Sequence, residues 1–211
     1  MPHLVLLGDS VLDNGAHVQA GPAVLEQVRQ AMPPAWTVTL LAVDGSVTRD
    51  VNEQVDAIPP DASHLFLSTG GNDALGQQAF LGRRADSVVS VLSDLDGIVG
   101  TFRGAYGRLL TRLATLRLRT TVCTVYHPAY EDPAYVSATV TALAVLNDVI
   151  VQEAAARGFD ILDLRKLFTA PSDYANPIEP SVQGGAKIAG AIRRIVNDGD
   201  ESRRVRSTLW P

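Results

Sequence analysis

The sequence predicts an α/β fold: one domain on a five-stranded parallel sheet with helices on both faces. Two observations carry this. Five short runs are apolar throughout rather than alternating, and segments with helical spacing separate them. A third supports it: no pair of runs is joined by a hairpin signal, so successive strands run parallel. The 211 residues suit one well-buried domain. A content of 46% hydrophobic and 19% charged residues argues against disorder.

"HLVLLG" (3–8), closed by Gly8, reads as the first strand. "AVLEQVRQAM" (23–32) places Val24, Leu25, Val28 and Met32 on one helical face and stops before Pro33-Pro34. "TVTLLAV" (37–43) is the second strand, and "VTRDVNEQVDAI" (47–58) repeats Val47, Val51, Val55 and Ile58 at helical spacing. "HLFLST" (64–69) is the third strand. The Gly-, Asp- and Ser-rich stretch 74–97 reads as a loop or partial helix over the mouth of the sheet. A helix over 98–118, a strand "TVCTVY" (121–126), a helix over 136–157, a strand "FDILDL" (159–164) and a helix over 184–196 complete the series. Residues 197–211 read as a polar tail.

The net charge of −5 gives no reason to expect nucleic acid or an anionic membrane as partner. "ESRRVRS" reads as a solvated tail segment. The single cysteine, Cys123, rules out an intrachain disulfide and sits in an apolar strand. "MPHLVLLGDS" is too short in apolar residues for a signal peptide, and no apolar run is read as a membrane span. The expectation is a cytoplasmic protein.

In parallel sheets ligands bind beyond the C-terminal strand ends. The unusual polar residues fall there: "GDS" after the first run, "DGS" after the second, "GGND" after the third and "HPAY" after the fourth. Ser10 at a strand-to-helix turn is an exposed hydroxyl beside backbone N–H groups. Gly45 offers a bare amide, and Asn72, preceded by Gly70 and Gly71, a neutral side-chain donor. Each alone is an ordinary turn residue; three on successive strand ends form a constellation.

These motifs resemble the SGNH hydrolase superfamily, the GDSL-type esterases and lipases. Its hallmarks are a Ser in a Gly-Asp-Ser block, a Gly, an Asn in a Gly-x-Asn-Asp block and a His in an Asp-x-x-His block. Gly8-Asp9-Ser10 matches the first, with Asp13, Asn14 and Gly15 extending it; Gly45 matches the second and Gly70-Gly71-Asn72-Asp73 the third. The resemblance implies a flavodoxin-like three-layer sandwich over 1–196. It implies Ser10 as nucleophile and an oxyanion hole from the Ser10 and Gly45 amides with the Asn72 side chain. It also implies carboxylic ester substrates and chemistry without metal or cofactor. Preorganised donors of this kind are each worth about 3 kcal/mol.

The fourth block departs from the family. In "EPSVQGGAKIA", Pro180, Gly184, Ile188 and Ala189 fit, which puts Glu179 in the His position and Asn176 in that of the Asp; no His follows His127. Three readings follow. Glu179 is the base of a Ser–Glu hydrolase, with the neutral Asn176 positioning its carboxylate without like-charge repulsion. Alternatively His127, at the fourth strand's end, supplies the base, while His17 merely follows the Ser10 turn. Or the crevice binds a small acyl or carbohydrate ligand without cleaving it. A carboxylate pair of Glu179 with Asp9 or Asp73 would suit a glycosidase but leaves Ser10 without a purpose. Ester hydrolysis is the expected activity, slowed by the missing imidazole. Tyr126, His127, Tyr130, Tyr135, Phe80 and Tyr174 are the candidate rim of the substrate site.

Overall fold

A strand that is apolar on both faces needs cover on both sides, and the helices between the strands supply it. In the computed structural model, residues 1–201 and 209–210 are described. β1 (His3–Gly8) is buried along its whole length. With β2 (Thr37–Leu40), β3 (His64–Ser68), β4 (Arg119–Cys123) and β5 (Asp160–Leu162) it forms the expected all-parallel sheet, in the order β2-β1-β3-β4-β5. A two-residue strand, β6 (Leu209–Trp210), pairs in parallel with β5 as a further edge. The rest of the polar tail expected over 197–211, "ESRRVRS" included, lies largely outside the described residues.

Successive side chains of a strand point to opposite faces, and β1 divides its residues accordingly. Leu4 and Leu6 pack with α1 (Val24–Ala31) and α6 (Val182–Glu201), through Val24, Val28, Ile188 and Ile192. Val5 and Leu7 face α2 (Val51–Asp56), α4 (Val88–Thr115) and α5 (Pro133–Ala155), through Val51, Tyr106, Leu110 and Ile150. Each such fully buried aliphatic side chain contributes about 1.5–3 kcal/mol by leaving water.

Two elements differ from the sequence expectation. α4 starts at Val88, ten residues before the helix read from the apolar pattern, because Ser87 and Ser90 cap it reciprocally. The Ser90 N–H donates to the Ser87 hydroxyl oxygen at 3.0 Å and the Ser87 N–H to that of Ser90 at 3.2 Å. The first turns therefore form on a cap while Val88, Val89 and Leu92 remain exposed. Second, α5 is long and apolar enough to cross a membrane by length and composition, which the reading of apolar runs missed. In this fold its Leu146, Val149 and Ile150 are core residues, and its buried Asn147 is hydrogen-bonded to the backbone N–H and carbonyl of Val125, both at 2.8 Å. α3 (Gly71–Leu75) and a 3-10 turn at Gln78–Gly82 occupy the start of the Gly-rich stretch.

Candidate active site

The end of β1 is built to turn sharply. Gly8 has φ +127°, and a Cβ there would lie 1.7 Å from the Ser68 carbonyl oxygen, so only glycine fits. Gln54, buried on α2, clamps this residue: the Gly8 N–H donates to its Oε1 at 2.7 Å and its Nε2 donates to the Gly8 carbonyl at 2.8 Å. The Leu12 and Asp13 N–H groups then close the turn on the Asp9 carbonyl, both at 3.1 Å. This leaves Ser10 at the C-terminal edge of the sheet.

The segment that answers it lies before α6. The Asn176 side-chain oxygen accepts the Ile178 and Glu179 N–H groups, both at 3.0 Å, an Asx turn that bends the chain back. The Ala175 N–H donates to the Glu179 carbonyl at 2.9 Å. On either side of Glu179, the Tyr126 hydroxyl donates to the Ile178 carbonyl at 2.5 Å and the Asn14 amide to the Pro180 carbonyl at 3.1 Å. Asn14 is fully buried and also accepts the Val24 N–H at 2.8 Å, which ties the Ser10 block to the Glu179 block and to α1. The result is direct: the Ser10 hydroxyl donates to Glu179 Oε1 at 3.0 Å. Glu179 is buried, and its second oxygen, Oε2, has no hydrogen-bond partner. Burial pushes its carboxyl above the usual range; the Ser10 bond and His17 draw it back, and Asp44 adds to the rise.

The donor side is assembled by two latches. Asn72 donates through Nδ2 to the Ser46 carbonyl at 2.9 Å. Asp73 Oδ2 accepts both the N–H and the hydroxyl of Thr48, at 2.9 and 2.8 Å. These hold the Gly45 turn, where φ is +81°, against the start of α3. Asn72 lines the cleft, whereas Gly45 is exposed and is not among its lining residues. Among the described residues neither the Ser10 nor the Gly45 N–H has an acceptor, so both donors are open.

The other candidates divide. Asp73 is occupied by Thr48. Asp9 is buried, accepts the Val11 N–H at 3.2 Å, and is pushed up to about 7, first by burial and then by Glu179 and Asp73. His127 is exposed and absent from the cleft lining; its carbonyl accepts the Tyr174 hydroxyl. The imidazole found beside Glu179 is His17, whose Nε2 is 3.0 Å from Asp44 Oδ2. One ligand-type atom from each of His17, Asp44 and Glu179 falls within 4.8 Å of the others, a trio whose donor types suit a divalent cation. Sequence reasoning passed over this pair. The available signal was adjacency, since His17 follows the Ser10 block and Asp44 directly precedes Gly45.

From Ser10 and Glu179 a cleft of about 980 Å³, measured out to open solvent, runs between α3, α4 and α5. Its walls include Leu75, Leu81, Leu95, Ile98, Leu143 and Leu146. Of the expected rim, Phe80, Tyr126 and Tyr130 line it; Tyr135 packs behind Tyr130 with ring centroids 5.1 Å apart.

The fold agrees with what the comparisons find. The model of the GDSL-like lipase/acylhydrolase family matches residues 6–186, and the chain belongs to that family. It is similar in fold to an extracellular lipase from Streptomyces rimosus, with TM-score 0.67 and 16% identity over 94% of this chain and 99% of that one. A lipase/acylhydrolase from Enterococcus faecalis gives TM-score 0.64 and 19% identity over 94% and 97% of the two chains. An acetyl xylan esterase from Geobacillus stearothermophilus gives 0.61 and 17% over 91% and 93%. No curated protein matches the chain.

Proposed function

We propose that the protein hydrolyses carboxylic esters with Ser10 as nucleophile and Glu179 as the base that standard members of the family supply with histidine. The observation that carries this is the 3.0 Å hydrogen bond from the Ser10 hydroxyl to Glu179 Oε1. A carboxylate in water is a weak base, but one raised by burial moves toward the working pH and accepts a proton more readily. Ser10 Oγ bonds the ester carbonyl carbon as its proton passes to Glu179. The open Ser10 and Gly45 N–H groups and the second Asn72 amide hydrogen are the donors for the resulting oxyanion, each worth about 3 kcal/mol. Collapse expels the alcohol, which takes the proton from Glu179. Water then repeats the sequence on the acyl-enzyme. Asn176 acts through the backbone: it holds the Glu179 N–H rather than the carboxylate.

The cleft walls favour an apolar acyl arm over a sugar ring, because they offer aliphatic surface and few polar partners. The test is hydrolysis of p-nitrophenyl acetate and octanoate by wild type and Ser10→Ala, with fluorophosphonate labelling read by mass. Loss of at least ~10³-fold in the variant, with label on Ser10, is expected. Equal rates and no label would leave the cleft as a binding site for an acyl ligand.

A further inference from the structure

Glu179 presents two oxygens, and Ser10 uses one. The other is buried without a hydrogen bond, an arrangement that costs free energy whenever the group is charged. A base must nevertheless be charged before it can take a proton. The structure places one cationic side-chain type against it: His17, in the 3-10 turn Gly15–His17, directed by its 3.0 Å contact with Asp44. Asp44 is itself held, its N–H donating to Asp13 Oδ2 at 3.0 Å. The three elements that meet here are the turn after β1, the loop after β2 and the loop before α6, and the ligand-type atoms of His17, Asp44 and Glu179 converge within 4.8 Å.

We infer that His17, oriented by Asp44, is a positioning residue for the base: its ring faces the Glu179 carboxylate and, when it carries a proton, favours the anion that accepts the Ser10 proton. The inference rests on the Ser10–Glu179 reading above. An opposite charge at this range favours the charged form of its neighbour, and His17 acts on Glu179 in that direction. The other ionisable groups around Glu179 work against it or are neutral. Asp44 and Asp9 are like charges, and Tyr126 reaches only the Ile178 carbonyl. Among the described residues, His17 is thus the one group in this shell that opposes burial by charge. No proton need leave His17 during turnover: the proton lost by Ser10 rests on Glu179 and returns to the departing alkoxide.

The test is the acid limb of kcat/KM on p-nitrophenyl octanoate, from pH 4 to 9, for wild type, His17→Gln and His17→Lys, each normalised to its own plateau. Without the cation, Glu179 protonates at higher pH. His17→Gln should therefore lose roughly three- to tenfold more of its plateau rate at pH 5 than wild type, and His17→Lys should restore the wild-type limb. Asp9 also titrates near this window, but its electrostatic neighbours are Glu179 and Asp73, so it does not separate Gln from Lys. Superimposed Gln and wild-type limbs would overturn the inference, as would equal shifts in Gln and Lys, which indicate a merely structural role. Activity lost in EDTA and restored by zinc would also overturn it, assigning the trio to a metal. Ser10→Ala run alongside separates the two levels. A dead Ser10→Ala with an unshifted His17→Gln refutes only this inference, whereas an active Ser10→Ala refutes the hydrolase reading beneath it.

Discussion

Glu179→Gln separates catalysis from stability, because the two should move in opposite directions. The glutamine carbonyl can still accept the Ser10 hydroxyl, so the local geometry survives while the proposed base is gone. Positioned general bases contribute about 10²–10⁴-fold, and kcat should fall by that order. The stability effect follows from Oε2, buried without a partner. An unsatisfied buried polar group costs about 1–3 kcal/mol, more when charged, and the substitution removes the charge. The sign follows from the direction of the shift: the carboxyl is raised in the folded state. Below the unfolded carboxylate range both states are protonated and the penalty is absent. It develops as pH rises through that range and is complete above the folded value. At pH 8 the variant should therefore melt higher than wild type, by about 2–4 °C for each kcal/mol in a chain of this size; at pH 4 the two should coincide. Differential scanning calorimetry at both pH values, beside the esterase assay, reads this. A variant that is less stable at pH 8 would refute the burial argument, and one that keeps the wild-type rate would refute the assignment of the base.

Substitutions at two other positions test parts of the site. Asn176→Ala removes the acceptor for two backbone N–H groups of the Glu179 loop, and kcat should drop about tenfold or more, since small displacements of a catalytic group are costly; Asn176→Asp keeps the acceptor and should retain most activity, and equal kinetics in the two would sink the positioning role. Ala142→Phe adds a ring to the cleft wall on α5, so the octanoate-to-acetate ratio of kcat/KM should fall about tenfold or more while acetate hydrolysis persists; an unchanged ratio would place the acyl arm elsewhere.

Much of this was legible in the residues. Short apolar runs without alternation, bounded by turn residues and too short for helices, suit strands buried on both faces, which is why the five strands and the parallel arrangement followed from pattern. Ser10, Gly45, Asn72 and Glu179 stood out as candidates because each adjoins an element boundary with its own local chemistry: a turn glycine, a loop amide, a proline and a helix start. The start of α4 was not legible, because the Ser87–Ser90 cap lies in a stretch whose composition resembles a loop. Nor was the span-like character of α5, whose Asn147, Asp148 and Gln152 interrupt the apolar pattern.

Short-range pattern and the residue types present are enough to give the class of fold and to mark Ser10 as the candidate nucleophile and Glu179 as the residue standing where the family pattern has histidine. Which imidazole lies beside Glu179 follows only from the three-dimensional arrangement. His17 and Asp44 are 27 residues apart and meet because β1 and β2 are neighbours in the sheet, whereas His127, sitting at a strand end as expected, turns to solvent. Electrostatic partners are selected by distance through space, and the chain order carries no record of that distance until the strands are laid side by side.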